Sequence, residues 1–484
     1  MNELIAQETE KLRLKLSQFS AELETPKDKK EEAINALGNY VSDFYEWLPN
    51  HKTYNADYAS STEDAFLNLS ESADLETILG YVKNRIDTKG LNAASGGHLG
   101  YIPGGGIFEG AMGDFIAAVG NQYAGVFYAS PGAVRMENSL IKWAGELIGY
   151  EKGFAGNLTS GGSMANLIAI ATARHAKKIS SSQVPKTVVY TTRQTHHSLL
   201  KALRINGLHE CELRVIPTDA HYRINLEELE QAIKQDKQEG LLPFLIISNA
   251  GSTDVGAVDP LHKVAAIAKE FNLWHHVDAA YGGFFMLTDY GKTKLDGIEL
   301  ADSVILDPHK GLFLPYGSGM VLIKDGNLLQ ETFSQEANYM QDSKLSHSEL
   351  SPADLSPELS KHFRGMRMWL PLKMHGVQRF TNALDEKLLL ARYFNQQIKE
   401  LGFETGPEPD LSVVLFRLTP DENTNELNKQ IVADIHANCR VFISSTTIDG
   451  VFWLRVAILS FRTHLKEVDE LLDFLTSYSN KEAN

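Results

Sequence analysis

A lysine that directly follows a short apolar run is the strongest candidate in this sequence for a chemically reactive residue. Residues 303–306, Ser-Val-Ile-Leu, predict a buried strand, and the turn Asp307-Pro308-His309 leads from it to Lys310. The lysine is therefore expected at the carboxyl edge of a sheet, where its amine could be held unprotonated and nucleophilic. Because a single lysine is usually solvated, this hypothesis depends on the residues that lie with it.

A carboxylate stands at the end of a second apolar run. Residues 273–277 predict another buried strand, Asp278 follows it, and the small residues Ala279 and Ala280 come next. An ionised carboxylate at the tip of a buried strand is costly unless its charge is paired. The protonated nitrogen of a pyridine ring would be such a partner, and a structural arginine or a helix N-cap role is the alternative.

Small and hydroxyl-bearing residues precede a predicted helix at 163–178. In the run 159–163, Thr-Ser-Gly-Gly-Ser, the glycines allow the backbone to approach an anion, and the helix N-terminus offers free N–H groups. Gly162 and Ser163 are therefore candidates for a phosphate cradle, although the spacing is neither that of a Walker loop nor that of a dinucleotide-binding loop. The alternative is a plain helix N-cap provided by Ser160 or Ser163.

Two adjacent histidines, His196 and His197, follow the apolar run 186–190. A histidine at this position could lie flat on an aromatic cofactor or carry a proton. Adjacent side chains point in different directions, and no cysteine or nearby carboxylate completes a zinc site, so we expect no metal. A helix-capping or surface role for the pair is the alternative.

These candidates share one predicted framework between about residues 125 and 325. Strand-like runs lie at 186–190, 244–248, 273–277 and 303–306, and they alternate with helical patterns at 163–178, 225–238 and 260–271. This alternation predicts an α/β fold with a mostly parallel sheet that is covered on both faces. Ligands of such sheets bind at the carboxyl ends of the strands, which is where all four candidates fall.

The flanking segments have other patterns. Residues 1 to about 90 read as amphipathic helices with no evident core of their own, whereas a long helical pattern at 366–399 and strands near 412–418 and 451–458 indicate a smaller α/β domain. We therefore predict a helical N-terminal segment at 1–95, a large domain at 96–375 and a small C-terminal domain at 376–484.

Composition excludes several classes of protein. The chain has 484 residues and a formal net charge of −16, which argues against nucleic acid or an anionic membrane as its main partner. Its apolar runs are far shorter than the roughly 20 residues that span a bilayer, and residues 1–15 lack the apolar stretch of a signal peptide. Because Cys211 and Cys439 are too few for a disulfide scaffold, a reducing, cytoplasmic location is expected.

Taken together, these motifs resemble the group II pyridoxal-phosphate-dependent amino-acid decarboxylases, which include aromatic L-amino-acid, histidine and glutamate decarboxylases. The runs His-Val-Asp-Ala-Ala-Tyr at 276–281 and Pro-His-Lys at 308–310 are specific when they occur together. The resemblance covers about residues 35 to 470 and is also seen in the runs at 196–198, 250–253, 256–259, 363–369 and 454–457. It implies fold type I, the aspartate aminotransferase-like fold, with pyridoxal 5'-phosphate as the cofactor.

The resemblance also implies a role for each matching residue. Lys310 corresponds to the lysine that forms the Schiff base, Asp278 to the partner of the pyridine nitrogen and His196 to the histidine stacked on the ring. Positions that contact the cofactor are matched by Gly162, Ser163, Thr253, Ala280 and His309. On the substrate side, Tyr101 and Pro103 match residues near the substrate, and Tyr339 resembles a mobile-loop tyrosine that protonates the α-carbon. An exposed loop tyrosine is the alternative for Tyr339.

Arg455 has an independent argument, because it interrupts the apolar run 451–458. A buried guanidinium needs an anion, and an incoming substrate carboxylate would provide one, as the resemblance also implies. A structural salt bridge is the alternative.

Two departures from the family pattern bear on the site. Asp307 stands where many members have asparagine, and Gly311 stands where aromatic-specific members have a bulky residue. In addition, Gly104, Gly105 and Gly106 are expected to loosen the wall next to Tyr101 and Pro103. Small-residue openings at Gly104 and Gly311 therefore leave the substrate class open.

The reaction implied by the resemblance is α-decarboxylation of an L-amino acid to the amine, and the overall resemblance favours an aromatic or other bulky substrate. Alternatives on the same scaffold are an aldehyde synthase, an aminotransferase or a carbon–carbon lyase, and a catalytically silent dimeric binding protein is the alternative from another class. The family further implies a homodimer with each active site at the interface and the first 90 residues as a dimer clasp.

Overall fold

In the computed structural model, the described residues are 2–19, 23–56, 69–334, 349–419 and 423–479. They belong to two compact units, Met1–His51 with Asn55–Asn92 and Lys52–Tyr54 with Ala93–Asn484. The bounds of the helices and strands within this part of the chain are α1 Asn2–Phe19, α2 Lys27–Trp47, β1 Tyr54–Asn55, α3 Leu75–Tyr81, β2 Gly90–Leu91, β3 His98–Leu99, α4 Phe108–Gly120, α5 Pro131–Leu147, β4 Ala155–Thr159, α6 Gly162–Ala176, β5 Thr187–Thr191, α7 His197–Ile205, β6 Glu212–Val215, α8 Leu226–Gln238, β7 Leu242–Asn249, α9 Leu261–Phe271, β8 Trp274–Asp278, α10 Asp289–Lys294, β9 Ser303–Leu306, α11 Pro308–Gly311, β10 Gly319–Ile323, α12 Gly326–Phe333, α13 Gly365–His375, α14 Val377–Glu400, β11 Glu404–Thr405, β12 Val413–Arg417, α15 Thr424–Asn438, β13 Phe442–Ile448, β14 Val451–Ala457 and α16 Leu465–Ser479.

The first unit is helical, as predicted. Neither α2 nor α3 contains a buried residue, which agrees with the absence of a core in the sequence pattern. Within the unit, the Tyr40 hydroxyl donates to Asp87 at 2.8 Å, and burial together with this carboxylate raises the pKa of Tyr40 to about 12.

The second unit is built around a seven-stranded sheet in the order β4-β10-β9-β8-β7-β5-β6. Pairs of strands from β9 to β6 are parallel, and β10 runs antiparallel to both of its neighbours, β4 and β9. The predicted mostly parallel sheet is therefore confirmed. The sequence pattern missed β4, because Gly156 and Asn157 interrupt its apolar run, and it also missed β6 and β10.

Both faces of this sheet are covered, which explains why its strands are almost continuously apolar. Successive side chains of β9 point to opposite faces of the sheet. Val304 packs in one cluster with α5 and α14, whereas Ile305 packs in another with α6 and α7. The strands therefore hold their carboxyl ends, and the loops that follow them, in fixed positions at one edge.

A second sheet has the order β11-β12-β14-β13-β3 and is antiparallel except for the β13–β3 pair. Helices α14, α15 and α16 pack on it around Phe394, Ile431 and Leu471. The long helix predicted at 366–399 is in fact two helices, since Gly376 adopts a φ of 73° between α13 and α14. Both sheets lie in the second compact unit, and the boundary predicted near residue 375 stays a prediction.

Among the described residues, we find no helix that combines the length and the apolar character needed to cross a membrane.

Candidate active site

The loops at the carboxyl ends of β4, β5, β7, β8 and β9 converge on one cavity of about 270 Å³. Eight residues singled out in the sequence line this cavity: Gly162, Ser163, His196, Thr253, Asp278, Ala280, His309 and Lys310. Seven further residues complete the lining: Ser160, Gly161, Met164, Asn166, Ser198, Ile305 and Asp307. The fold thus brings together residues that are up to 150 positions apart in the chain.

The N-terminus of α6 forms one wall of the cavity. The helix has Gly161 as its N-cap, and no side chain caps it, so the proposed alternative of a serine N-cap is wrong. Gly161 has a φ of 151°, and a Cβ on Gly319 would lie 2.5 Å from its Cα, so both positions need glycine. Because the first N–H groups of a helix have no acceptor within it, this wall can bind an anion.

Lys310 lies on the short helix α11, which follows β9 through Asp307 as N-cap and Pro308 at the first position. Its side chain is 20% exposed, and its Nζ lies 3.0 Å from Oδ2 of the buried Asp307. The lysine is therefore not a solvated surface residue, and it lines the same cavity as the N-terminus of α6.

Asp278, at the end of β8, is buried and accepts one hydrogen bond on each carboxylate oxygen. Oδ2 accepts from Asn166 Nδ2 at 3.2 Å, and Oδ1 accepts from the backbone N–H of Ala280 at 3.1 Å. Within the part of the chain that the structure describes, no cation lies in ion-pair contact with this carboxylate. A buried anion held only by neutral donors suits a cationic ligand atom.

Asn166 connects Asp278 to a buried chain of hydrogen bonds. The carboxylate can only accept, so the amide nitrogen of Asn166 faces Asp278 and its oxygen accepts from His276 Nε2 at 2.9 Å. His276 Nδ1 then accepts from the hydroxyl of Ser303 at 2.8 Å, and Ser303 accepts from the Trp274 indole N–H. The network fixes one tautomer of His276, and burial lowers its pKa to about 4.

His196 joins the same network through Ser198. Asn166 Nδ2 donates to Ser198 Oγ at 3.1 Å, and the Ser198 hydroxyl can donate to His196 Nδ1 at 2.7 Å. His196 also caps α7 by accepting from the backbone N–H of Ser198, so the capping alternative and the cavity position are both realised. Burial lowers the pKa of His196, which favours a neutral ring.

His309, beside the lysine, donates from Nδ1 to the carbonyl oxygen of Ser318. Its Nε2 lies 3.7 Å from Asp307 Oδ2, and its ring packs against Tyr316 with centroids 5.5 Å apart. Burial lowers the pKa of His309, while the Asp307 carboxylate opposes this shift.

The substrate-side predictions are not brought to the cavity. Arg455 is buried, and its guanidinium donates to the carbonyl oxygens of Thr253 and Asp254 and to Ser444 Oγ. It thus holds the loop that carries Thr253, and direct contact with a substrate carboxylate stays a prediction. Tyr101 and Pro103 do not line the cavity, and Tyr339 lies outside the described residues.

The expectation of small-residue openings at Gly104 and Gly311 is wrong. A Cβ on Gly104 would lie 2.1 Å from the carbonyl oxygen of His309, and a Cβ on Gly311 would lie 2.7 Å from Cβ of Phe284. Gly105 is also in close contact, with Ser460 Oγ at 2.5 Å from its built Cβ. These glycines therefore permit close packing around α11 and leave no open space there.

Sequence reasoning missed Asn166 and Ser198 as site residues. Asn166 lies three positions after Ser163 on α6, so helical spacing from a recognised residue would have pointed to it. Ser198 lies two positions after the N-cap His196, where a side chain close to the cap can be expected. No group of three or more His, Cys, Asp or Glu side chains in the described ranges is placed to hold a metal ion.

Comparisons with known proteins agree on one family. The sequence model of the pyridoxal-dependent decarboxylase conserved domain matches residues 64–419. Aromatic-L-amino-acid decarboxylase of Bacillus atrophaeus is 34% identical over 381 residues, covering 77% of this chain and 79% of the relative. Tyrosine decarboxylase 2 of Arabidopsis thaliana is 31% identical over 389 residues, covering 77% and 71%, respectively.

Among solved structures, Oryza sativa TDC with PLP and tryptamine is similar with a TM-score of 0.89 and 22% identity, covering 95% of this chain and 99% of that one. Rhodiola rosea 4-hydroxyphenylacetaldehyde synthase has a TM-score of 0.85 and 21% identity, covering 94% and 99%. These similarities confirm the predicted fold type I.

Proposed function

The chain is a member of the pyridoxal-dependent decarboxylase family, and we propose that it removes the α-carboxylate of an aromatic L-amino acid and releases the amine. It is a carboxy-lyase with pyridoxal 5'-phosphate as its cofactor. One observation carries the proposal for this chain: Lys310, Asp278 and the Gly162–Ser163 wall line a single cavity. The aromatic preference is supported by the names of its relatives, which include tyrosine and tryptophan decarboxylases.

The residues present fit the cofactor. Asp278 is a buried carboxylate with neutral donors only, as a partner for a protonated ring nitrogen should be. The N-terminus of α6 can hold the phosphate, and Gly162 is a position where a side chain would collide with Asp307. His196 and Ala280 line the same cavity and can contact the ring.

Each residue then has a definite task. Bound pyridoxal 5'-phosphate supplies the electron sink for the electrons that CO2 leaves on Cα. Lys310 supplies the amine that holds the cofactor, Asp278 keeps a proton on the ring nitrogen, and His196 positions the ring. The buried network through Asn166 and His276 keeps Asp278 in one orientation while this happens.

We assign the proton that Cα must receive to Tyr339, acting as a general acid. The phenylacetaldehyde synthase of Petunia hybrida, 29% identical over 418 residues, makes the aldehyde-forming branch the second candidate function. A Tyr339→Phe variant tests the role of this residue as a proton donor. It should bind cofactor and substrate normally but lose amine formation. An unchanged amine yield would remove Tyr339 from the mechanism.

The substrate contacts of Arg455, Tyr101 and Pro103 are also part of the proposal. A conservative Arg455→Lys change tests the first of them. A raised KM with unchanged thermal stability supports contact with the substrate carboxylate, whereas a lowered Tm with unchanged KM assigns the guanidinium to the Thr253 loop alone.

The decisive experiment is to measure CO2 release from each of the twenty amino acids with the holoenzyme, while product analysis distinguishes amine from aldehyde plus ammonia. We expect the aromatic amino acids to give the highest kcat/KM and the amine as product. Highest turnover of an acidic or basic amino acid would contradict the substrate assignment, and aldehyde with ammonia would favour the second candidate.

We further propose a cytoplasmic homodimer with active sites at the interface. Support comes from α4, where Phe108, Met112, Phe115, Ile116 and Val119 are exposed apolar residues on one helix, more than a monomer usually leaves uncovered. Both cysteines are free, as a reducing compartment requires. Light scattering should give twice the chain mass, and an active monomer would refute the dimer.

A further inference from the structure

Asp307 is a buried carboxylate with one oxygen unused. The residue is 2% exposed, and Oδ2 contacts Lys310 Nζ at 3.0 Å. The other oxygen, Oδ1, has no hydrogen-bond partner among the described residues. An ionised carboxylate buried with a free acceptor is unfavourable, so this oxygen needs a donor that the described residues do not provide.

The free oxygen faces the anion-binding wall. A Cβ on Gly162, the first residue of α6, would lie 3.2 Å from Oδ1 and 2.9 Å from Oδ2. The carboxylate therefore lies at the end of the helix that would hold the phosphate of the cofactor. Two negative groups would share this end of the cavity when the cofactor is bound.

Few positive charges are available to compensate the repulsion between the Asp307 carboxylate and the phosphate. Among the described residues, the titratable groups around Asp307 are Lys310 and His309 on α11 and His196 before α7, with Arg367 of α13 acting on His309. The helix α6 contributes only uncharged residues at this point, and Arg367 is already paired with Asp114. The lysine is committed to holding the cofactor, so the repulsion between carboxylate and phosphate needs another solution.

A proton between the two groups is that solution, because a singly ionised phosphate ester carries a P–OH donor for which Oδ1 is the acceptor. We propose that Asp307 shares one proton with the phosphate group of the cofactor, so that the site takes up the singly charged ester in preference to the doubly charged one. Asparagine at this position could donate to a doubly charged phosphate and would have no such preference.

The test uses pyridoxine 5'-phosphate and pyridoxine, which lack the aldehyde and cannot react with Lys310. Both are titrated into the full-length apoenzyme from about pH 6 to about pH 8, and the ratio of their affinities isolates the contribution of the phosphate. Since the second ionisation of a phosphate ester lies near pH 6, the ratio in the wild-type protein should fall about fivefold from pH 6 to pH 7 and about tenfold from pH 7 to pH 8. In Asp307→Asn it should stay nearly constant and exceed the wild-type ratio at pH 8.

Ser163→Ala is the matched control, because it removes a neutral phosphate donor and leaves Asp307 in place. This variant should lower the affinity ratio at every pH and keep the wild-type slope. A flat ratio in the wild-type protein would overturn the proposal. An equal slope in Asp307→Asn would also overturn it and would assign the titration to His309.

Phosphorus NMR of the holoenzyme gives a second readout that does not depend on activity. At pH 7 the wild-type signal should be displaced towards that of a singly charged ester relative to the signal of Asp307→Asn. Coincident signals of a doubly charged ester in both proteins would contradict the shared proton. Because the readouts concern cofactor phosphate alone, a non-aromatic substrate would leave their outcome unchanged.

Discussion

Two buried aspartates follow neighbouring strands of the same sheet, and their surroundings are opposite. Asp278 ends β8, and each of its carboxylate oxygens accepts a hydrogen bond from a neutral donor. Asp307 follows β9, with one oxygen 3.0 Å from Lys310 Nζ and the other without a partner among the described residues. Both residues line the cavity at the sheet edge, and their partners support the proposal that Asp278 pairs with a cationic ligand atom whereas Asp307 lies beside an anionic group.

The largest effect should come from removing the cation on the Asp307 side. Lys310→Ala should abolish decarboxylation and the visible absorption band of the lysine-bound cofactor, since no other described lysine lines the cavity. Activity assays and absorption spectra check this. Lys292→Ala is the control, because the Lys292 side chain is half-exposed on α10 and pairs with the exposed Asp289. Retained absorption in Lys310→Ala would exclude the lysine as the attachment site.

Neutralising each aspartate in turn should have different effects on the affinity for the cofactor. Asp278→Asn removes a charged hydrogen bond to the ring nitrogen worth about 1.5–3 kcal/mol, so cofactor binding should weaken by about 10- to 150-fold. Asp307→Asn should not weaken it. Equilibrium binding of pyridoxal 5'-phosphate to the two apoproteins provides the measurement, and equal losses would mean that the two carboxylates do not differ in role.

Asn166→Leu tests the neutral donors that distinguish Asp278. The substitution leaves His276 Nε2–H without an acceptor and Asp278 Oδ2 without a donor. Each buried polar group that loses its hydrogen-bond partner lowers the free energy of unfolding by about 1–3 kcal/mol. Denaturant unfolding should show a loss in this range, whereas Asn382→Leu on the exposed face of α14 should change stability little. A neutral effect of Asn166→Leu would show that the network contributes nothing to stability.

The smallest effect should be a gradual decrease in the free energy of unfolding as the pH falls into the mildly acidic range. The pKa of His276 is lowered to about 4 and that of His275 to about 3, both by burial, so the unfolded chain binds these protons first as the pH falls below about 6.5. The free energy of unfolding should then fall by up to about 1.4 kcal/mol per pH unit for each histidine. Urea unfolding between pH 7 and about pH 5 checks the slope, and His276→Gln should make it shallower.

Much of this could be predicted from the sequence, and the limits have physical causes. Parallel strands read as apolar runs, so β5, β7, β8 and β9 were recognised, and their carboxyl ends gave the cavity residues. The spacing along α6 could place Asn166 on the same face as Ser163, but the sequence could not reveal its hydrogen bond to Asp278, which depends on the distance between α6 and β8. It also suggested open space at Gly104 and Gly311, because the absence of a side chain has the same signature whether a ligand or a neighbouring backbone fills the volume.

Gly104 has a practical consequence for altering the range of substrates. Its backbone lies against the carbonyl oxygens of His309 and Lys310, where a built Cβ would come within 2.1 Å and 3.0 Å of them. Even alanine at this position would press on the backbone of α11 and shift Lys310 with it. A library that randomises this glycine would therefore disturb the α11 residues that line the cavity rather than enlarge the space for a substrate.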